Sequence, residues 1–284
     1  MKTRDKFIAF VDILGFTNMV EAAEENGGDV TLALDLARAL GTPSGAAKIQ
    51  EFGHIICPAA PFMEKGVRFE VTQVSDCAVV SCEVSPAGLI TLVHHCVTAA
   101  MTVVSKGGLC RGIITKGSIF HEAGQFLGNG YMEAFKAERS VAFRQSDISE
   151  TGTPFIQLDP AVVAYAQQQD DRCVRSMFER MTTSDGTYTA IDPFRPLANV
   201  PSALINLDFD PRRWKASVDL SLSFRLSTLA RYEAADQNAP GEKERLKIRH
   251  YKRGLEDAIA RLHQKGARLD EMIETGVIPY GSLL

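Results

Sequence analysis

The sequence predicts a mixed α/β protein of the α+β kind, with a mainly helical C-terminal extension. Three observations predict it. Short apolar runs with strand-like alternation are interleaved with longer helix-like segments up to about residue 117. The elements in that region follow the order β-α-β-β-α-β. From about Trp214 onward the chain is long, charged and helical in period.

The first strand is "FIAFVDILGF", residues 7–16. Seven of the eight residues 7–14 are apolar, the pattern of a strand buried on both faces. Asp12 interrupts it. An unpaired carboxylate there costs roughly several kcal/mol, so a cationic partner is expected. Residues 17–41 follow as a helix that Thr17 caps, Gly41 stops, and Gly27 and Gly28 can interrupt. Residues 42–64, rich in proline and glycine, read as irregular.

Residues 67–74 and 77–84 alternate around Ser75 and Asp76 as a hairpin does. Ser85 and Pro86 open a mostly apolar helix that ends at Gly107 and Gly108. "LCRGIITKGSIF" is the next strand, residues 121–130 read as an arm or loop, and residues 131–146 as a helix with Ala134, Ala137 and Val141 on one stripe. A strand and a short helix opened by Asp159 and Pro160 come next, then a strand in "GTYTAIDPF". We divide the chain into a domain over 1–195 and a helical extension over 196–284, whose two helices are separated by "NAPG".

Bulk properties narrow the function classes. A net charge of −4 and a pI near 5.9 give no basic footprint, so nucleic-acid binding by overall electrostatics is not indicated. The charged N-terminus leads into an apolar run that stops at Asp12, which is neither a signal peptide nor a membrane span. A cytoplasmic protein without membrane insertion is expected. The six cysteines form no CxxC pair and read as reduced thiols, several of them buried. "HHC" at 94–96 reads as structural rather than zinc-binding, because adjacent side chains on a helix diverge.

The order β-α-β-β-α-β is the ferredoxin-like or palm arrangement. There the third strand lies antiparallel between the first and second. Asp12, at the end of the first strand, and Asp76, at the start of the third, then converge at one sheet edge although they are 64 positions apart. Converging carboxylates can act as acid and base, form a structural pair or hold divalent cations, and palm-type sheets favour the last.

These residues carry a resemblance. "FVDILGFT" resembles the opening F-x-D-I-x-G-F-T of class III nucleotidyl cyclases, and "QVSDCAVV" their second metal-binding hairpin. "CRGIITKGSIF" is similar to the family's R-x-G-I-x-x-G-x strand, and "FLGNGYMEAFKAER" to its G-x-x-V-N-x-A-x-R helix. The four motifs stand in family order and, with the later strand-helix-strand, the resemblance covers residues 7 to about 195. It implies a cyclase-homology domain in which Asp12, Asp76 and the carbonyl of Ile13 hold two divalent cations, Mg²⁺ or Mn²⁺. The implied reaction is attack of a ribose 3′-hydroxyl on the α-phosphate of a nucleoside triphosphate, giving a 3′,5′-cyclic nucleotide and pyrophosphate. It further implies a head-to-tail homodimer with its sites at the subunit interface.

The departures from the purine-cyclase pattern are informative. Thr72 and Gln125 stand where the family carries its charged purine readers, and each can both donate and accept a hydrogen bond. Met132 replaces the transition-state Asn, and Lys136 replaces the Arg, keeping its charge without its bidentate fork. Arg111 can reach a triphosphate or be a solvated strand-end charge. Arg139 shares a helix face with Lys136 and can reinforce a phosphate-facing patch, with Glu138 pairing with either of those two cations. Tyr131 reads as core rather than as a base-stacking platform, and the basic run "KIRHYKR" at 247–253 as a solvated helix face.

The pattern also resembles the divergent bacterial pyrimidine cyclases of Pycsar anti-phage systems in "DILGF", "SD" and the spacing of Gly128, Ala134 and Glu138. The expectation is a pyrimidine nucleotide cyclase acting on UTP, with CTP as the alternative base and a separate effector responding to the product. The rival is a catalytically silent cyclase-fold module for binding or dimerisation. Retention of both carboxylates favours the enzyme, because an unmetallated like-charge pair is destabilising. An RNA-binding ferredoxin-like domain would carry aromatic and basic residues on its exposed sheet face, which these strands do not.

Overall fold

The structure, a computed structural model, describes residues 2–42, 45–46, 67–147, 150–194 and 210–277. The expected irregular stretch 42–64 lies almost wholly outside them, as does Cys57. The chain divides into two compact units, Met1–Pro193 and Phe194–Leu284.

The first unit is a mixed α/β structure. Its strands are β1 (Arg4–Leu14), β2 (Phe69–Val74), β3 (Cys77–Glu83), β4 (Leu109–Glu122), β5 (Gln125–Leu127), β6 (Ile156–Leu158), β7 (Thr182–Ser184) and β8 (Thr189–Ile191). Its helices are α1 (Phe16–Glu25), α2 (Thr31–Ala39), α3 (Pro86–Ser105), α4 (Asn129–Glu138), α5 (Pro160–Gln167) and α6 (Arg172–Met181). The sheet runs β2-β3-β1-β4-β6-β8-β7, with β5 paired to the far end of β4. β1 is antiparallel to both β3 and β4.

Period-two alternation sends the side chains of β1 to two different layers. Phe7, Ala9, Val11 and Ile13 join a core with Leu36 of α2 and the buried face of α3. Ile8 and Phe10 join a smaller cluster under α4, with Ala134 and Tyr131. Both faces are covered, which is why residues 7–14 carry a single polar side chain, Asp12. Helix α3 is capped by Ser85, whose Oγ accepts from Gly88 N at 2.9 Å. It is long and apolar enough to cross a membrane, yet 72% of its apolar window is packed inside this unit, as in a core helix.

Three expectations are corrected in detail, and the interruption expected at Gly27 and Gly28 is present. Thr17 lies inside α1, and Gly15, in the left-handed conformation at φ 76°, holds the cap position. The segment after it is two helices, broken where Gly27 and Gly28 take positive φ. The expected arm at 121–130 is a continuation of β4, a two-residue turn at Ala123 and Gly124 with φ 51° and 78°, and the return strand β5. The helix expected to reach residue 146 stops at Glu138, because Gln157 Oε1 captures the N–H groups of Ala142 and Phe143 at 2.9 and 3.0 Å. Helix α6 and strand β7 were outside the expectation; α6 is capped by Asp171 and buries Val174, Phe178 and Met181 on one stripe.

The second unit contains α7 (Pro211–Gln237) and α8 (Glu242–Thr275), packed antiparallel. Lys215 near the start of α7 lies 3.5 Å from Asp270 near the end of α8, and Lys252 lies 2.8 Å from Asp236. Val218, Leu262, Leu269 and Met272 form its core. The run "KIRHYKR" is only in part a solvated face: His250 and Tyr251 are buried, and Arg249 and Lys252 pair with Glu242 and Asp236.

Helix α4 approaches β4 at two glycines. A Cβ on Gly117 would lie 2.8 Å from Gly130 Cα, and one on Gly130 would lie 2.6 Å from Ile8 Cδ1. Gly117→Ala and Gly130→Ala should each destabilise the fold by about 1–3 kcal/mol through overpacking, read as a lower urea midpoint; an unchanged midpoint would mean that α4 is not seated this closely.

Candidate functional site

The strand registers bring the two predicted carboxylates together. Asp12 stands opposite Cys77 on one side and Arg111 on the other, and Ile13 N donates to the Asp76 carbonyl at 3.0 Å. Asp76 sits with Ser75 in the tight β2–β3 turn, where Ser75 adopts φ 55°. The neighbouring Cys77 donates to the Val74 carbonyl at 3.2 Å, and its thiol is pushed up to about 11 by burial and by the surrounding carboxylates. It is therefore a neutral packing group rather than a nucleophile.

Asp12 carries the strongest electrostatic mark at this edge. Burial pushes its carboxyl up to about 7, with further upward pressure from Glu138 and Asp76. Arg111 and the N–H of Ile13 oppose the shift. Burial and two nearby carboxylates outweigh one guanidinium, so the edge is short of positive charge.

Arg111 and Glu138 form the ion pair of this site. Glu138, expected beside Lys136 or Arg139, instead folds under the end of α4, where its buried Oε1 accepts from Arg111 Nε. Gly152, at φ 68°, lets its loop close over the guanidinium, since a Cβ there would run into Arg111 Nη1. Arg111 is thus neither solvated nor a free phosphate hook. It ties β4 to α4 and meets the expectation of a cation beside Asp12.

The remaining site candidates separate into two groups. Thr72 is buried on β2 and its Oγ1 lies 2.9 Å from His121 Nε2. It also lines a cleft of about 690 Å³ walled by Phe16, Val20, Leu34 and Val71, with Gln73 and Ser75 at its polar side. Gln125 is exposed at the start of β5, next to Gly124, which lines the same cleft. Lys136 on α4 and Arg139 at its C-cap are exposed, Arg139 lying over the Phe135 ring at 5.6 Å, and Met132 on the same helix is exposed too. Tyr131 packs on Phe126 and Phe10 with ring centroids 4.7 and 6.2 Å away, as a core residue does. His95, of "HHC", bonds the Leu40 carbonyl through Nε2 at 2.9 Å and is held down to about 4 by burial.

The chemistry of the Asp12 edge suits a hard divalent cation. Its donors are carboxylate oxygens, and added positive charge would relieve the pressure on Asp12. Among the described residues no three His, Cys, Asp or Glu side chains gather as a metal-binding group. The remaining ligands would have to be backbone, water and substrate oxygens, which is the usual manner of Mg²⁺. Sequence reasoning missed His121 and the Arg111–Glu138 pairing; the Arg and Glu were visible, but not that α4 would end directly above β4.

Two outcomes follow from this geometry. Asp12 titrates near 7 in the folded protein against an ordinary value of 3.8, so the folded state binds the extra proton between those values and stability falls as pH rises through that window. Cation-free wild-type protein should therefore gain stability from about pH 8 to about pH 5.5 relative to Asp12→Asn, measured by urea melts; parallel profiles would contradict this. Glu138→Ala should cost about 3–5 kcal/mol by stranding Arg111, and Arg111→Met with Glu138→Leu together much less, a non-additivity that a double-mutant cycle reads directly. The chain matches no family model and no curated protein, so its function has to be argued from this geometry and from the motifs.

Proposed function

We propose that the protein is a pyrimidine nucleotide cyclase, converting UTP to 3′,5′-cyclic UMP and pyrophosphate. The observation that carries this is the convergence of Asp12 and Asp76 at one end of adjacent antiparallel strands, with the Asp12 carboxyl held high by burial and by its acidic neighbours. The strand order β2-β3-β1-β4, with helices crossing between β1 and β2 and between β3 and β4, fits the ferredoxin-like or palm arrangement in which cyclases of this class build such a site.

Asp12, Asp76 and the Ile13 carbonyl are the residues that would hold the cations. Two bound Mg²⁺ or Mn²⁺ ions would supply acidification of the 3′-hydroxyl and neutralisation of phosphate charge. In the reaction the 3′-hydroxyl gives up its proton to solvent, its oxygen forms a bond to the α-phosphorus, the bond from that phosphorus to the bridging oxygen breaks, and pyrophosphate leaves with that oxygen. The chain's own groups provide positioning and charge. Arg111, oriented by Glu138, offsets negative charge beside Asp12, and Lys136 and Arg139 offer exposed positive charge on α4. Thr72, a lining residue of the cleft, would meet a base edge on this reading.

A homodimer with shared sites fits the exposure of Lys136, Met132 and Phe135 on one helix, since a partner can reach them. The product would serve as a messenger for a separate effector in anti-phage signalling in the cytoplasm, a reading that rests on the motif resemblance. The silent-module alternative draws on two observations: Arg111 is already neutralised by Glu138, and Met132 stands where the family has an Asn.

Purified protein with Mn²⁺ and the four ribonucleoside triphosphates should form a cyclic pyrimidine nucleotide identified by mass, and Asp12→Asn or Asp76→Asn should lower the rate by about 100-fold or more. Tight nucleotide binding without pyrophosphate release would establish the silent module instead. Mixing Asp12→Asn with Lys136→Ala protein should restore part of the activity if the site is shared; no rescue in demonstrated mixed dimers would put both groups in one chain.

A further inference from the structure

Helix α7 buries one side, through Val218, Arg225, Thr228 and Tyr232. Its opposite side lies open: Ala216, Leu220, Ser223, Ser227, Ala230 and Ala234, at helical spacing, are all exposed. Leu220 is 74% exposed, and Phe224 and Leu226, on either flank of that stripe, are 50% and 46% exposed. Among the exposed positions from Ala216 to Ala230 the one charge is Asp219, which Lys215 meets at 2.9 Å.

The neighbouring helix shows what a solvated face of this unit looks like. Arg253, Glu256, Asp257, Arg261 and Arg268 are exposed along α8, while Leu255, Leu262 and Leu269 are buried. The outer face of α7 departs from that pattern. Large apolar side chains set among serine and alanine, which let two backbones approach, make the surface of a helix that packs on another helix. Two-helix hairpins present such faces when they pair into four-helix bundles.

The order of the residues selects a second copy of this chain as the occupant. Laid antiparallel with Ser223 opposite itself, as a two-fold axis requires, the stripe matches its own reverse. Ala216 comes level with Ala230, seven residues to either side of Ser223, and Leu220 with Leu226, three to either side. Arg213 comes level with Glu233, ten to either side. Glu233 is exposed, and the Arg213 side chain is 83% exposed with Asp210 3.7 Å away, so opposite charges flank an uncharged centre. A parallel pair would instead set Arg213 beside Arg213 and Glu233 beside Glu233, which like charges oppose. About ten residues a side is below the roughly 20–30 of a standard interface, so the contact belongs to the weak, reversible class.

We infer that α7 carries a homotypic docking surface: the outer faces of two α7 helices pack antiparallel about Ser223 and join two helical hairpins into a four-helix bundle. This surface lies outside the candidate site and does not rest on the cyclase reading.

Two measurements on the full chain test it. Under mild oxidation Ser223→Cys protein should form a dimer linked from position 223 to position 223, mapped by mass spectrometry, at least about tenfold faster than Gln264→Cys protein, whose site is exposed on α8. In sedimentation equilibrium, Leu220→Glu with Leu226→Glu should raise the Kd of self-association by about tenfold or more while the urea midpoint stays in place, since both positions are exposed. Equal cross-linking rates, or a wild-type chain that stays monomeric at the highest concentration tested, overturn the inference. Association unmoved by the double substitution overturns it too, and leaves the head-to-tail dimer of the proposed function standing. A 223-to-223 link in protein that turns over no nucleotide upholds the inference while the cyclase reading falls.

Discussion

The charge imbalance at the end of β1 governs much of what surrounds it. At this end of the strand Asp12 feels the charges of Glu138 and of Asp76, and Arg111 is the cation that opposes the rise in its pKa. The fold resolves one of the three charges internally, by pairing Glu138 with Arg111 under the end of α4. On the function proposed above, the other two would hold divalent cations. Burying an ion pair brings little net stability by itself, so the pair is better understood through what it fixes: the seat of α4 on the sheet and the guanidinium beside Asp12.

The rest of the first unit serves that placement. β1 must be rigid for the Asp12 carboxyl to be held in position, and it is rigid because β3 and β4 bond it on both edges and two separate cores clamp its faces. β4 is long enough to do two jobs. Its first residues supply Arg111, and its last ones leave β1 after Ile119 and carry His121 over to Thr72 and Ser81 on β2 and β3. The acid edge and the Thr72 network thereby both draw on β4 and on the β2–β3 hairpin.

What was legible in the sequence follows from locality. The approach of Asp12 to Asp76 could be read because alternation fixes which side of a strand each residue occupies and the β-α-β-β-α-β order fixes which strands are neighbours. The pairing of Arg111 with Glu138 could not, since it depends on where α4 stops. That stop is imposed by Gln157, nineteen positions past Glu138 and on a different strand. The β4–β5 hairpin was hidden because alanine occupies a left-handed turn position that usually advertises itself with Asn, Asp or Gly. Thr72 was visible as a polar residue at an informative place, but not its bond to His121 49 positions later. Helix α6 did carry local signals, an Asp cap and an i, i+4, i+7 apolar stripe, in a stretch left unassigned.

The two-sided burial of β1 also bears on how this protein can change over generations. Point substitutions at its apolar positions can be absorbed by repacking, because neighbouring side chains share the volume. Insertions and deletions cannot. With a repeat of two, one residue gained or lost ahead of Asp12 would turn its carboxyl into the α3 core and swing Val11 or Ile13 toward Arg111 and Glu138. Lineages that keep this chemistry are therefore expected to hold the length of β1 fixed while its composition drifts.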